Sequence, residues 1–372
     1  MANLFFYGTL RHVPLLEVVL GRSAAEVDLI PATLADHAVL CVVGHDFPII
    51  VEVVGDTATG LLVRGLTETD CERLVFYEGG FDYALKPASL MLADNTEAEA
   101  QVFFPEPGKW QSADPWSLRS WADRWGSLVV RTAQDVMDEF GRRPAQEVIA
   151  HSGTYRRLAA AWLSARARPA DPNRDVTRDV LVHRRRRPYA SFLALDEIDL
   201  QFRRYDGAMS PVLSRAALMV GEPVVVLPYD PVMDSVLLVE QFRTPVFLGG
   251  SRSPWVWEPI AGLIDPGETP ETAARRESLE EAGLQISRLE PVGQAYSSTG
   301  SSSEYVHMFV GLADLSETDR VGGLAAEGED IRPRVIRRSA LMEGVDEQTY
   351  CDMPLLTCAL WLDRHLDRLG AG

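Results

Sequence analysis

The pattern of apolar and polar positions divides the chain into two stretches of strand-like alternation separated by a helical one. From Leu4 to Phe104, short apolar runs such as Leu4-Phe5-Phe6-Tyr7 and Pro48 to Val54 alternate with turn residues and a few helix-like segments. This predicts a small α+β domain over residues 1–105. The breaker cluster Pro105-Glu106-Pro107-Gly108 ends it, and from Pro115 to Ala167 the residues Trp116, Trp121, Trp125, Leu128 and Val129 recur at helical spacing. A helical connector over 106–170 is expected, with the tryptophans as packing anchors. A second cluster, Arg168-Pro169-Ala170-Asp171-Pro172-Asn173, reads as an interdomain linker. In the second domain, 171–372, strands are expected at Val180 to His183, Ser191 to Leu195, Val224 to Leu227 and Val236 to Val239, the last two joined across Tyr229-Asp230-Pro231. A mainly antiparallel or mixed sheet with a few helices fits.

Length and composition agree with this division. The 372 residues suffice for two cores, and 46% hydrophobic with 24% charged residues describe a soluble globular chain. Every apolar run is interrupted before the ~18 residues that cross a bilayer, and Met1 to Leu20 lacks a basic leader and a cleavage site. A cytoplasmic protein without a membrane partner is expected. The net charge of −18 argues against nucleic acid as a partner, and the basic run His183 to Arg187 reads as solvated surface. Cys41, Cys71, Cys351 and Cys358 lack metal-ligand spacing and are expected to be reduced.

Chemistry concentrates in Gly262 to Leu284. Thr269 is a plausible N-cap, Pro270 suits the first helical position and Gly283 the left-handed stop, so a helix from Pro270 to Ala282 follows. Within it Glu277, Glu280 and Glu281 stand at i, i+3 and i+4 and project from one face. Three like charges there call for a positive partner, and oxygen-only donors select magnesium, with manganese as second choice, over zinc. Carboxylates alone would equally suit an exposed acidic helix. The fixed glycines and Arg276 favour the metal.

This stretch resembles the Nudix signature: Gly262, five residues, Glu268, seven residues, then Arg276-Glu277-Ser278-Leu279-Glu280-Glu281-Ala282-Gly283-Leu284, with Ser278 replacing the first aliphatic residue. The resemblance implies an α/β/α sandwich, with Glu277, Glu280 and Glu281 as metal ligands and the Ala261 carbonyl completing the set. It implies that Glu268 supports the loop or metal and that Arg276 orients the carboxylates. Tyr205 to Ser210, Val224 to Asp230, Glu240 to Arg243, Ser298-Thr299-Gly300, Glu304 and Glu327 to Arg332 resemble the ADP-ribose pyrophosphatase branch, with Thr299 in place of that branch's usual proline. The expected activity is hydrolysis of ADP-ribose or a related nucleoside diphosphate sugar to AMP and a sugar phosphate. Arg243, Glu258 and Glu304 are the expected substrate contacts, Arg243 by a bidentate grip on phosphate. Glu327, with Glu329 as the alternative, is the expected base, and a homodimer is the expected assembly.

The first domain resembles the gamma-glutamylcyclotransferase-like family through Phe6-Tyr7-Gly8-Thr9-Leu10-Arg11 and Phe76-Tyr77-Glu78-Gly79-Gly80-Phe81-Asp82-Tyr83. The likeness implies a small barrel, substrate binding by the Tyr7, Gly8, Thr9 and Leu10 loop, and proton transfer by Glu78. The order of the two domains resembles proteins grouped as TrgB-type tellurite-resistance proteins. Two other readings stand beside the pyrophosphatase: a two-headed enzyme that also acts on gamma-glutamyl groups, and a non-catalytic metabolite sensor.

Overall fold

The computed structural model describes residues 2–79, 83–316 and 330–370. They form two compact units, Met1–Leu163 and Ser164–Gly372. Among the described residues no helix is long and apolar enough to cross a membrane.

In the first unit, strands β1 (Ala2–Phe6), β2 (Asp28–Val42), β3 (Pro48–Leu66), β4 (Tyr83–Leu92), β5 (Glu97–Pro105) and β6 (Ser112–Pro115) share one sheet. Five of them close on themselves: β1 lies between β3 and β5, β5 pairs β4, β4 pairs β2, and β2 returns to β3. This is the small barrel expected from the sequence. The alternation of the first apolar run is resolved into two cores, since side chains alternate across a strand. Phe5 and Tyr7 join the buried cluster with Ile50, Leu62 and Val102, whereas Leu4 and Phe6 face a second one. That second core contains Leu15, Leu16 and Val19 of α1 (Val13–Leu20) and Leu74 of α2 (Glu68–Glu78). It also contains Trp121 of α3 (Leu118–Trp121) and Ala133 of α4 (Ser127–Met137), with Trp116 and Trp125 packed against it. The tryptophans are therefore packing anchors, and these helices are part of the first unit's core. Helices α5 (Ala145–Ala150) and α6 (Ser152–Ala167) follow.

The second unit begins with α7 (Val176–Asp179) and a three-stranded sheet of β7 (Val180–Ala190), β8 (Ala194–Phe202) and β9 (Leu213–Met219). Ser191 to Leu193, expected to be extended, form the bend between β7 and β8. The basic run faces its own sheet: Arg184 pairs with Asp199, Arg185 and Arg187 with Asp196, and Arg186 with Glu197. Cross-strand charge pairs of this kind glue a ribbon and leave little for phosphate.

The main sheet comprises β10 (Pro223–Asp230), β11 (Ser235–Phe242), β12 (Trp255–Glu258), β13 (Ile260–Leu263), β14 (Arg288–Tyr296), β15 (Tyr305–Leu312) and β16 (Arg332–Arg337). Helix α8 (Thr244–Leu248) follows β11, and α9 (Pro270–Ala282) follows β13. Helices α10 (Arg338–Asp346), α11 (Met353–Arg364) and α12 (Leu366–Leu369) close the chain. Val224 and Val226 of β10 pack with Ala273 and Ala274 of α9. Val225, Leu227 and Tyr229 point the other way, onto Leu341 of α10 and Leu355, Cys358 and Leu362 of α11. The sheet is thus covered on both faces, the α/β/α sandwich that the sequence implied.

Arg168, read from the sequence as a linker residue, is folded against the second unit. It forms an ion pair with Glu222, stacks its guanidinium 3.3 Å from the Tyr305 ring centroid, and donates to the Tyr296 hydroxyl at 3.3 Å. Glu222, only 8% exposed, also accepts from Ser164 Oγ and lies 3.0 Å from His307 Nε2. The two units part at Leu163 and Ser164, within α6 and ahead of the prolines, and Arg168 has a buried carboxylate to satisfy. Arg168→Ala should therefore lower stability in urea unfolding by about 2 kcal/mol or more, because it strands a buried charge. A linker residue would cost less than about 0.5 kcal/mol.

Candidate functional site

Two places gather the residues singled out by sequence. In the second unit, the loop after β13 delivers the chain into α9, whose start and stop are as expected. Thr269 Oγ1 accepts from Thr272 N at 3.2 Å, Pro270 opens the helix, and Gly283 ends it in the left-handed region at φ 65°. Arg276 forms the centre. Its Nε and Nη2 grip Glu268 at 2.9 and 2.8 Å, its Nη1 donates to Glu277 at 2.7 Å and to Glu280 at 3.0 Å, and Nη2 reaches the Leu263 carbonyl at 3.1 Å. These carboxylates raise the Arg276 pKa, Glu268 most, and the guanidinium in turn holds Glu268 below the usual carboxylate range.

Glu281 is the inward member of the set, 2% exposed, with Ala261 N donating to its Oε2 at 3.4 Å. Gly262 makes room beside it: a Cβ there would lie 2.0 Å from the Glu277 carboxylate. Ser278, at the one departure from the signature, is fully buried and donates to the Ala274 carbonyl at 2.7 Å. The hydroxyl is accommodated by bonding back to its own helix.

No three His, Cys, Asp or Glu side chains among the described residues are arranged as a closed metal cage, since Arg276 stands between Glu277 and Glu280. The donor set nonetheless suits a hard divalent cation. It is all oxygen, it gathers on one helix face, and Gly262 leaves space for the Glu277 carboxylate that a side chain would fill.

Arg243 departs from expectation. Its fork is engaged bidentately by Glu258, with Nε to Oε1 at 2.8 Å and Nη2 to Oε2 at 2.5 Å. Glu258, 6% exposed at the end of β12, is therefore a clamp on the arginine, and Nη1 has no hydrogen-bond partner among the described residues. Arg243 also feels the charges of Glu281 and Asp352. Sequence reasoning missed Asp352. It caps α11 by accepting from Leu355 N at 2.8 Å, and burial, reinforced by Glu258 and Glu304, pushes its pKa up to about 6. The pattern Asp352-Met353-Pro354 is legible as a helix start, but nothing local says that its charge reaches Arg243. Glu304 precedes β15, beyond the Ser298-Thr299-Gly300 turn. Glu327 and Glu329 lie outside the described residues.

In the first unit, Tyr7 is buried at the end of β1 and its hydroxyl donates to the Phe103 carbonyl at 2.8 Å. Gly8 brings the backbone close to Pro48, where a Cβ would sit 3.1 Å from Cγ. Thr9–Arg11 form a 3-10 turn, and the Leu10 side chain belongs to the core rather than to a binding surface. Glu78 ends α2, which a reciprocal capping box of Thr67 and Asp70 starts. Burial pushes its carboxyl up to about 7, and its charge reaches Tyr7, Tyr77 and Tyr83.

With this geometry in place, comparison with known proteins is decisive for one half. The ADP-ribose pyrophosphatase of Escherichia coli (strain K12) is 37% identical over 187 residues, which cover 50% of this chain and 89% of the relative. The chain belongs to the Nudix family. Its NUDIX domain match spans residues 220–346. The ADP-ribose pyrophosphatase of Haemophilus influenzae is 40% identical over 40% of this chain and 70% of its own length. The GDP-mannose pyrophosphatase of Yersinia pestis (strain Pestoides F) is 36% identical over 27% of this chain and 52% of its own. Residues 4–123 match the model described as "Gamma-glutamyl cyclotransferase, AIG2-like". The protein is a Nudix pyrophosphatase joined to a cyclotransferase-like domain, and Nudix enzymes of the ADP-ribose pyrophosphatase type generally depend on a divalent metal.

Glu78 gives a pH test. Its pKa is raised from 4.5 to about 7, so the folded state holds the proton that the unfolded chain releases. The stability contribution is present below pH 4.5 and lost as pH rises through 7. Glu78→Gln should abolish that loss. The melting temperature of the variant relative to wild type should be higher at pH 8 than at pH 5, by an amount equivalent to at most about 3 kcal/mol.

Proposed function

We propose that the second unit hydrolyses the diphosphate of ADP-ribose or a related nucleoside diphosphate sugar, giving AMP and a sugar phosphate, with magnesium as the cofactor and manganese able to replace it. The observation that carries the reading is the Arg276 cluster, in which one guanidinium gathers Glu268, Glu277 and Glu280 beside the buried Glu281. The names of the most similar relatives support the substrate class.

Glu277, Glu280 and Glu281, with the Ala261 carbonyl, would hold the cation. When bound, it neutralises the diphosphate oxygens and acidifies water. Arg276 keeps Glu277, Glu280 and Glu268 in register, and Ala261 N holds Glu281. The free Nη1 edge of Arg243 takes a phosphate oxygen while Glu258 fixes the plane of the guanidinium. Glu327, or Glu329, accepts the proton of the attacking water as its oxygen bonds to phosphorus and the bond from that phosphorus to the bridging oxygen breaks. The assembly we expect is a cytoplasmic homodimer that binds neither nucleic acid nor membrane.

A second activity has its own support: Glu78, poised near neutrality beside Tyr7, suits proton transfer to a gamma-glutamyl amine. The deciding experiment is a panel of nucleoside diphosphate derivatives and gamma-glutamyl amides, incubated with the full chain with and without magnesium, with products identified. Metal-independent release of AMP, or none, would remove the pyrophosphatase reading. Glu281→Gln should lower turnover by about three orders of magnitude while circular dichroism stays that of wild type. Glu327→Gln should depress kcat far more than it raises KM, and a change confined to KM moves the base to Glu329.

A further inference from the structure

Arg168 lies outside the residues that either family model matches, 4–123 and 220–346, yet two parts of the candidate site meet at its guanidinium. One is reached through the buried Glu222, its ion-pair partner, which also accepts from Ser164 Oγ and lies 3.0 Å from His307 Nε2. Glu222 immediately precedes β10, and its own carbonyl accepts from Ile264 N at 2.9 Å. There β10 runs beside β13, with Pro223 opposite Leu263 and Val224 opposite Gly262. The Leu263 carbonyl in turn accepts from Arg276 Nη2 at 3.1 Å, the nitrogen that also holds Glu268. An unbroken series of contacts therefore runs from Arg168 to the guanidinium that arranges the acidic face of α9.

The second part is reached through two tyrosines. Arg168 stacks 3.3 Å from the Tyr305 ring centroid and donates to the Tyr296 hydroxyl at 3.3 Å. These residues face each other where β14 ends and β15 begins, with ring centroids 4.9 Å apart. Directly beyond them Ser297 N donates to the Glu304 carbonyl at 3.0 Å and closes the turn that carries Ser298-Thr299-Gly300. A planar guanidinium can serve both neighbours at once, its edge bonding the carboxylate while its face lies on the ring. Without it, Glu222 would keep a buried charge with only a hydroxyl and an imidazole as partners, and relief requires the start of β10 to move with the β13 loop bonded to it. Groups that orient metal ligands from behind tune metal affinity without touching the ion. We propose that Arg168 is a positioning residue of the pyrophosphatase reaction: through Glu222 it fixes the loop from β13 to α9, and through Tyr296 and Tyr305 the turn that carries Glu304. The proposal rests on the pyrophosphatase reading and adds to it a residue from outside the Nudix match.

The test uses the full-length protein and two readouts: the manganese dissociation constant, from the electron paramagnetic resonance of the free ion without substrate, and kcat for ADP-ribose with magnesium. Arg168→Ala should raise the dissociation constant about fivefold and lower kcat by a similar factor. Combining it with Glu222→Gln removes the stranded charge, so the melting temperature of the double variant recovers toward wild type while the dissociation constant stays raised. A residue that serves stability alone would show both recovering together. Should Arg168→Ala fail to fold, the double variant carries the comparison. Arg338→Ala is the control, since it breaks the ion pair with Asp234 beyond the opposite end of β10; it should lower the melting temperature and leave manganese binding unchanged. A folded double variant whose manganese constant and kcat both lie within about twofold of wild type overturns the proposal. Wild type that hydrolyses no nucleoside diphosphate sugar overturns the pyrophosphatase reading instead, and the wild-type rate alone tells the two failures apart.

Discussion

Like charges on one helix face set the constraint on which the second unit depends. Glu277, Glu280 and Glu281 fall within two turns of α9, and in water their repulsion would work against the helix that carries them. Arg276, from the same helix, answers two of the three and reaches back to Glu268, so loop and helix become one piece. The third carboxylate, Glu281, is held inward by β13 through Ala261 N. The acidic face is consequently tied together by hydrogen bonds to Arg276 and to β13 before any cation arrives. Preorganisation of that kind is what a hydrolase acting on a charged diphosphate needs, since little reorganisation is left for the reaction itself.

Other buried carboxylates show how differently the fold treats structural and chemical groups. Glu222 is neutralised by Arg168 and tied to Ser164 and His307, and Asp196 by Arg185 and Arg187. Glu258 receives the Arg243 fork. Glu78 and Asp352 are handled otherwise: among the described residues neither forms an ion pair, and burial raises both toward neutrality. A carboxylate left without a cation costs stability, and such costs gather at functional sites. Glu78 is itself part of a motif that the sequence had marked, and Asp352 feels the charge of Arg243, which another had marked.

Legibility followed the range of the interactions. Helix α9 was readable to its caps because Thr269, Pro270 and Gly283 act within a few residues of themselves. The apolar run Val224 to Leu227 marked β10 as a strand, and the barrel of the first unit was implied by the resemblance of short motifs. What stayed hidden were partnerships across long separations. Arg168 looked like linker because its partner is 54 residues away, and Arg243 looked free because Glu258, on the neighbouring strand, is an ordinary glutamate in sequence. Ser191 to Leu193 failed for another reason: apolar content promised a strand, but the two partners on either side needed a bend. Asp352 shows both ranges at once, a cap legible from neighbouring residues and a charge felt by Arg243 more than a hundred positions earlier.

The charge of the chain bears on how an anionic substrate is held. With 54 acidic and 36 basic side chains, the protein repels a diphosphate at long range. That repulsion is weak at physiological salt, where screening acts over about 8 Å, so local groups decide affinity. The arginines of β7 are engaged by β8, Arg168 by Glu222, and Arg276 by its three carboxylates. On the proposed reading, positive potential at the site comes in part from Nη1 of Arg243, which has no partner among the described residues, and from the divalent cation that the oxygen donors of α9 suit. By the same reading, substrate affinity falls when the metal is withheld, because the cation supplies binding as well as chemistry. The acidic array that makes the site suitable for a divalent ion is the same array that would expel the diphosphate in its absence.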